Sequence, residues 1–285
     1  MIKRSLILLL VCLLVLTGCA EKVGKARVND IEMAYREFGR GYPLVMIMGY
    51  SGTMDFWSPA VLRELARHYR VIVFDNRGMG LSTAGVRKFT IPQFTNDTAG
   101  LLDALKIRQA HVLGWSMGTN MALDLAIRYP VKVNKLIIYA GDPGGKAAIL
   151  PAPAAMRMMA DTSGTPGERG MRLLKLMFPA EWLKDNPDPR RYLPAMTETS
   201  SAKNIDRQTE AMASWAGCYS KLSSIKAPTL LLTGTDDILT PPENTSLLAK
   251  KIAGAKVAKI KGGGHGMMFQ YPEEFTRIIL DFLEK

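Results

Sequence analysis

The sequence predicts an α/β fold: a mostly parallel sheet flanked by helices and interrupted by a helical insert. Three observations carry this. Short apolar runs at 43–48, 71–74, 136–139, 229–232 and 257–260 alternate with stretches of helical character. Continuous rather than alternating apolar residues mark strands covered on both faces. The run His111-Val112-Leu113 leads into Gly114-Trp115-Ser116-Met117-Gly118 and then a helical pattern, a strand–turn–helix with a serine at the turn. Between Gly144 and Leu222 the alternation stops and seven prolines appear. With 285 residues, 47% of them hydrophobic, the chain can fill one sizeable core and carry a smaller insert.

Taken in order, the chain opens with Lys3-Arg4 and an unbroken apolar run of eleven residues, 6–16. That run is too short to span a bilayer and fits a signal peptide over residues 1–18. It ends in Leu16-Thr17-Gly18-Cys19, which resembles the lipobox of bacterial lipoproteins. The resemblance implies a lipid on Cys19, a mature chain starting there, and anchorage to a membrane of the bacterial cell envelope. With Ala20 next, it implies the periplasmic side of the outer membrane if the cell is Gram-negative. Residues 19–27 read as a polar tether. Residues 28–38 suit a strand pair turning at Asn29-Asp30, and 43–48 a buried strand ending at Gly49. Ser58-Pro59 opens a helix with Ser58 as cap, Pro59 in the first turn and Leu62, Leu65 and Ala66 as its apolar face. A strand at 71–74 and a helix at 97–105 precede the serine turn, and 119–129 is the helix after it. The core, 28–143 and 222–285, resumes with strands at 229–232 and 257–260 and a helix between them from about Pro242. A final helix opens at Pro272 and turns Phe275, Ile278, Ile279 and Phe282 to one side. Residues 144–221 form a helical cap insert over the carboxyl edge of the sheet, where such folds bind ligands. Its clearest elements are the capping box Thr165-Pro166-Gly167-Glu168 before a helix at 171–178, and a helix at 208–216.

Composition narrows the function. The net charge is +11, or +9 once Lys3 and Arg4 are set aside. Its cations are scattered, with no aromatic-interleaved basic stripe, so nucleic-acid binding is not expected. Cys12 lies in the signal and Cys19 in the lipobox, which leaves Cys218 without a disulfide partner. No zinc-type spacing is present, and neither a metal nor a cofactor is expected.

The serine turn needs partners. A serine hydroxyl is barely nucleophilic until a base takes its proton, and imidazole has a suitable pKa. His265, among Gly262, Gly263, Gly264 and Gly266, can approach Ser116 closely; His68 after a helix and His111 before a strand suit structural roles. A carboxylate should orient the imidazole. Asp236 and Asp237 are adjacent and side-chain chemistry does not separate them; Asp142, after an earlier strand, is a weaker candidate.

Together these segments are similar to the α/β-hydrolase superfamily, in its lipase, esterase and haloperoxidase-like branch. The likeness runs from Val28 to Leu283 and rests on Gly49-Tyr50-Ser51-Gly52 with Trp57, on Asp75-Asn76-Arg77-Gly78-Met79-Gly80-Leu81-Ser82, on Gly234-Thr235-Asp236-Asp237, and on Gly264-His265-Gly266. It implies an α/β-hydrolase fold with a mostly parallel eight-stranded sheet and a Ser116–Asp237–His265 triad, the family's spacing selecting Asp237. The backbone N–H groups of Tyr50 and Met117 are the oxyanion-hole candidates. The chain has Met48-Gly49 where the family usually has His-Gly, and Thr119 where many members have glycine. Asp75 and Arg77 are expected to stabilise a glycine turn near the site.

Methionines crowd the motifs and the insert, which suggests a soft apolar pocket with Met48, Trp115, Phe178, Trp215 and Met267 as lining candidates. The expected activity is hydrolysis of a small-molecule carboxylic ester with an apolar acyl or aromatic group, through an acyl-serine intermediate. Alternatives on the same triad are perhydrolase, carbon–carbon bond hydrolase and acyltransferase. A non-catalytic envelope binding lipoprotein is the alternative outside enzymes. Oligomeric state is not legible in the sequence.

Overall fold

The computed structural model of this protein describes residues 23–285. The expected signal peptide (1–18), the lipidation at Cys19 and the first tether residues lie outside the described residues. None of the described helices is long and apolar enough to cross a membrane.

Eight strands form one sheet: β1 (Gly24–Val28), β2 (Ile31–Phe38), β3 (Pro43–Ile47), β4 (Arg70–Phe74), β5 (Ala110–Trp115), β6 (Val133–Tyr139), β7 (Thr229–Gly234) and β8 (Lys256–Ile260). Their order is β1-β2-β4-β3-β5-β6-β7-β8. β1 and β2 pair antiparallel, as do β2 and β4; every other neighbour is parallel. The helices are α1 (Pro59–Leu65), α2 (Ile91–Ala104), α3 (Met117–Arg128), α4 (Pro153–Ala160), α5 (Pro166–Met177), α6 (Ala180–Asp185), α7 (Ala202–Ala213), α8 (Glu243–Lys251), α9 (Met267–Gln270) and α10 (Pro272–Leu283).

The central strands are buried on both faces, which is why they read as unbroken apolar runs. Val45, Ile47, Ile72, Phe74, Val112 and Ile138 point into one cluster with α2, α3 and α8. Leu44, Met46, Val71, Val73, Leu113 and Ile137 point into the other with α1 and α10. Each such side chain contributes ~1.5–3 kcal/mol by leaving water. Successive crossovers run from β3 to β4 on one side and to β5 on the other. The loops after β3 and β5 therefore part at the carboxyl ends of the two strands, which opens a crevice there.

Four sequence expectations are corrected. Residues 24–27 are not tether but strand: Gly24 pairs with Tyr35 and Val28 with Ile31, around the expected turn at Asn29-Asp30. This edge strand, Gly-Lys-Ala-Arg-Val, buries only Val28 fully and so lacks a continuous apolar signature. Ser58 occupies the cap position of α1, but its side chain makes no capping bond. α2 begins at Ile91, six residues early, because Thr90 accepts from the Gln93 N–H and Pro92 sits in the first turn. α7 begins at Ala202 behind Ser201, which accepts from Asn204 N–H, and ends at Ala213. The capping box of Thr165 and Glu168 is formed in full.

Candidate active site

Ser116 sits between β5 and α3 with φ 55° and ψ −125°, a conformation that costs a non-glycine residue ~1–3 kcal/mol. The turn is cramped: a Cβ on Gly118 would stand 2.2 Å from the Ile47 carbonyl oxygen, and one on Gly114 would stand 2.4 Å from that of Gly118. Local bonds hold the strain. Ser116 N–H donates to the Tyr139 carbonyl at 3.0 Å, and the Ser116 carbonyl accepts from Thr119 N–H (2.8 Å) and Thr119 Oγ1 (2.6 Å). Thr119, a departure from the family pattern, thus clamps the turn. Ser116 Oγ is half-buried and has no hydrogen-bond partner among the described residues.

His265 and Asp237 are brought together across 28 residues. Nδ1 of His265 lies 2.9 Å from Oδ2 of Asp237, and both residues are buried. The other carboxylate oxygen, Oδ1, accepts from Leu239 N–H (2.9 Å) and Thr240 N–H (2.8 Å), so the acid cannot swing. Asp236 is exposed, accepts from Thr235 Oγ1 and shapes the turn. Asp142 uses its Oδ1 on Gly144 N–H at 2.7 Å, and burial raises its carboxyl above the usual range.

Two aromatic residues dock the histidine loop against the serine turn. The His265 carbonyl accepts from the Tyr139 hydroxyl at 2.7 Å and from the Trp115 indole at 3.2 Å. The Trp115 ring stacks on Tyr139 at 5.5 Å and lies 5.7 Å from the imidazole. Sequence reasoning missed Tyr139; its position at the end of β6, opposite Trp115, was the available signal.

The loop after β3 lies against the serine. A Cβ on Gly49 would stand 3.1 Å from Ser116 Cβ, and the loop is pinned by Asn76 Nδ2 donating to the Met48 carbonyl at 3.0 Å. Met117 N–H, in the first turn of α3, and Tyr50 N–H make no hydrogen bond to the described protein. Two unengaged donors beside a serine can receive a developing negative charge.

The expected pocket residues are distributed differently. Met48, Trp115, Phe178 and Met267 are fully buried in the cluster beneath the site, so they pack rather than form an open wall. Trp215 is half-buried against the opposite cluster, beside Gly144. Most of the exposed methionines (Met156, Met159, Met171 and Met212) belong to α4, α5 and α7.

The glycine turn after β4 also differs in part. Asp75 does brace it, accepting from Met54 N–H and Leu81 N–H. Arg77 instead reaches away to Asp97 and Asp30. A residue without sequence signal, Glu198 in the segment before α7, closes on this turn. It pairs with Arg36 at 3.0 Å, while Arg36 and Thr197 both contact Asp55. A Cβ on Gly80 would lie 2.3 Å from Asp75 Oδ2 and 2.7 Å from Glu198 Oε2, so two carboxyl groups converge there. Burial, then the neighbouring Asp75, push Glu198 up to about 8, and burial raises Asp75 as well.

Folded protein therefore keeps a proton that the unfolded chain loses near 4.5. The stabilising contribution of this proton is complete below that value and is lost as pH rises through about 8. The unfolding free energy from urea titration is expected to decline over this window, with a slope of at most ~1.4 kcal/mol per pH unit. Glu198→Gln should flatten the decline; an equally steep decline in the variant would contradict a proton retained on Glu198.

A family model described as alpha/beta hydrolase fold matches residues 42–272. Among curated proteins, the chain is 27% identical over 263 residues to "Putative carbamate hydrolase RutD" of Azorhizobium caulinodans, covering 90% of this chain and 97% of that one. Among solved structures, an alpha/beta hydrolase fold protein from Chitinophaga pinensis superposes with TM-score 0.79 at 27% identity, covering 93% of this chain and 98% of that one. The enol-lactonase from Burkholderia xenovorans gives 0.76 at 26%, covering 92% and 100%.

Proposed function

We infer that this chain, which belongs to the alpha/beta hydrolase fold family, is a serine hydrolase that cleaves small carboxylic esters with apolar acyl or aromatic groups. The observation that carries the reading is the buried His265–Asp237 bond of 2.9 Å, on a loop that Trp115, the neighbour of a serine held at φ 55°, bonds through the His265 carbonyl. On this reading Ser116 Oγ attacks the ester carbonyl as His265 Nε2 takes its proton. Asp237 keeps Nδ1 protonated and offsets the charge of the imidazolium. Tyr50 and Met117 N–H donate to the oxyanion. Protonated His265 gives its proton to the departing alkoxide, leaving an acyl-serine. Water, deprotonated by the same imidazole, then releases the acid. The residual donors and acceptors needed for each step all lie on the loops after β3, β5, β7 and β8.

Carbamate hydrolysis on the same residues is a second reading, favoured by the name of the curated relative. It differs only in placing nitrogen on the carbonyl, so a panel of esters, lactones and carbamates separates the two. The shared chemistry is tested with a fluorophosphonate probe on the purified protein. Wild type is expected to become covalently labelled and Ser116→Ala to take up none. Wild type that stays unlabelled would end the serine-hydrolase reading.

A further inference from the structure

The cap does more than cover the site. Helix α7 touches the loop after β3 at two consecutive residues. Ser51 N–H donates to Gln208 Oε1 at 2.7 Å, and the Tyr50 hydroxyl lies 2.8 Å from Thr209 Oγ1. Ser51 has φ 57°, in the left-handed region that a serine seldom occupies. The peptide joining Tyr50 to Ser51 therefore adjoins a strained torsion, and the Gln208 bond grips that peptide's own N–H. Held there, this peptide plane fixes the carbonyl side of Tyr50, and the torsions of Tyr50 carry that restraint to its own N–H, one residue earlier.

Gln208 is an unusual choice for this position if packing were its only task. It is completely buried, and its Nε2 has no acceptor among the described residues. A buried donor left unpaired is unfavourable, and an apolar side chain of similar volume would avoid that. The unpaired amide is tolerated because the other end of the same group makes the bond to Ser51. α7 itself is well placed to hold a loop still. Asn204 Nδ2 donates to the Gly78 carbonyl at 2.9 Å, and the Arg207 guanidinium lies 3.7 Å over the Phe89 ring.

We propose that Gln208 is a positioning residue for the oxyanion hole: from the cap it holds the peptide joining Tyr50 to Ser51 against the strain at Ser51 and so, through Tyr50, aims the Tyr50 N–H at the carbonyl attacked by Ser116. This rests on the serine-hydrolase reading above. Its consequence is that the cap and the oxyanion hole form one unit, and detaching α7 disables the chemistry rather than only opening the pocket.

The test compares Gln208→Met with wild type on p-nitrophenyl butyrate. Misaiming one donor without removing it is expected to lower kcat by roughly 10- to 100-fold, with KM within about 3-fold. Melting temperature should change little, because removing the unpaired amide offsets the lost bond to Ser51 N–H. Adding Ser51→Gly should recover part of the lost kcat, since glycine takes a positive φ without a bond to hold it. A role in packing alone would lower the melting temperature and gain nothing from Ser51→Gly. Glu210→Gln, an exposed change on the same helix, is the control for helix-wide effects. Should Gln208→Met not fold, Thr209→Val probes the second tether from the surface, with kcat expected to fall roughly 2- to 10-fold.

Wild-type kcat in Gln208→Met, or in Thr209→Val where that variant is the one measured, overturns the proposal while leaving fluorophosphonate labelling of Ser116 intact. Absence of labelling in the wild type overturns the underlying reading and the proposal together.

Discussion

Asp237→Asn is expected to lower kcat for ester hydrolysis by about 10⁴-fold while leaving the fold intact. The reason lies in which oxygen does what. Oδ1 accepts two backbone N–H bonds, from Leu239 and Thr240. An asparagine must keep its carbonyl oxygen there, because its NH₂ group cannot accept them. The NH₂ is then aimed at His265 Nδ1, in the place of the oxygen now 2.9 Å away. Nδ1 can meet it only as an acceptor, so the ring proton moves to Nε2, and Nε2 can no longer take a proton from Ser116. The shape is preserved and the tautomer is wrong. Asp236→Asn, on the exposed neighbour, should stay within about 2-fold of wild type, since an amide oxygen still accepts from Thr235. Steady-state kinetics on both variants decides the matter. An Asp237→Asn enzyme within 10-fold of wild type would mean that Asp237 does not set the tautomer of the base.

Arg77→Met is expected to destabilise the protein by about 3–5 kcal/mol. At this chain length that is a fall in melting temperature on the order of 10 °C. Arg77 is fully buried and holds four acceptors: both carboxylate oxygens of Asp97 at 2.7 and 2.8 Å, Asp30 at 2.7 Å and the Ala84 carbonyl at 3.1 Å. Through them it ties the β1–β2 turn to α2 and to the segment that follows the glycine turn. The bond to Arg77 holds the Asp30 carboxyl well below the usual carboxylate range, with further help from the Arg87 and Val86 N–H groups. Asp97, which is 1% exposed, would be left buried without its cation, and that uncompensated charge is the larger part of the cost. Urea denaturation measures it. A loss below about 1 kcal/mol would show that water or a rearranged Asn29 and Gln93, which also donate to Asp97, can replace the guanidinium.

The sequence by itself determined whatever depends on neighbours along the chain. Unbroken apolar runs such as Val71-Ile72-Val73-Phe74 state that both faces of a strand will be covered. Glycines around Ser116 state that the chain must pass close to itself, and Thr165 with Glu168 state where α5 begins. The start of α2 was also written locally, in Thr90 and Pro92, though the apolar pattern alone did not reveal it.

Tertiary structure decided whatever depends on residues far apart. Which of two adjacent aspartates meets the imidazole is a matter of direction at the end of β7, not of residue type. β1 is a strand because β2 offers it partners, not because its five residues favour one. Tyr139, Glu198 and Gln208 act on groups 126 to 162 residues away. A hydrogen bond lasts over a few ångströms and is blind to sequence separation, so such contacts exist only once the sheet and cap have set them side by side.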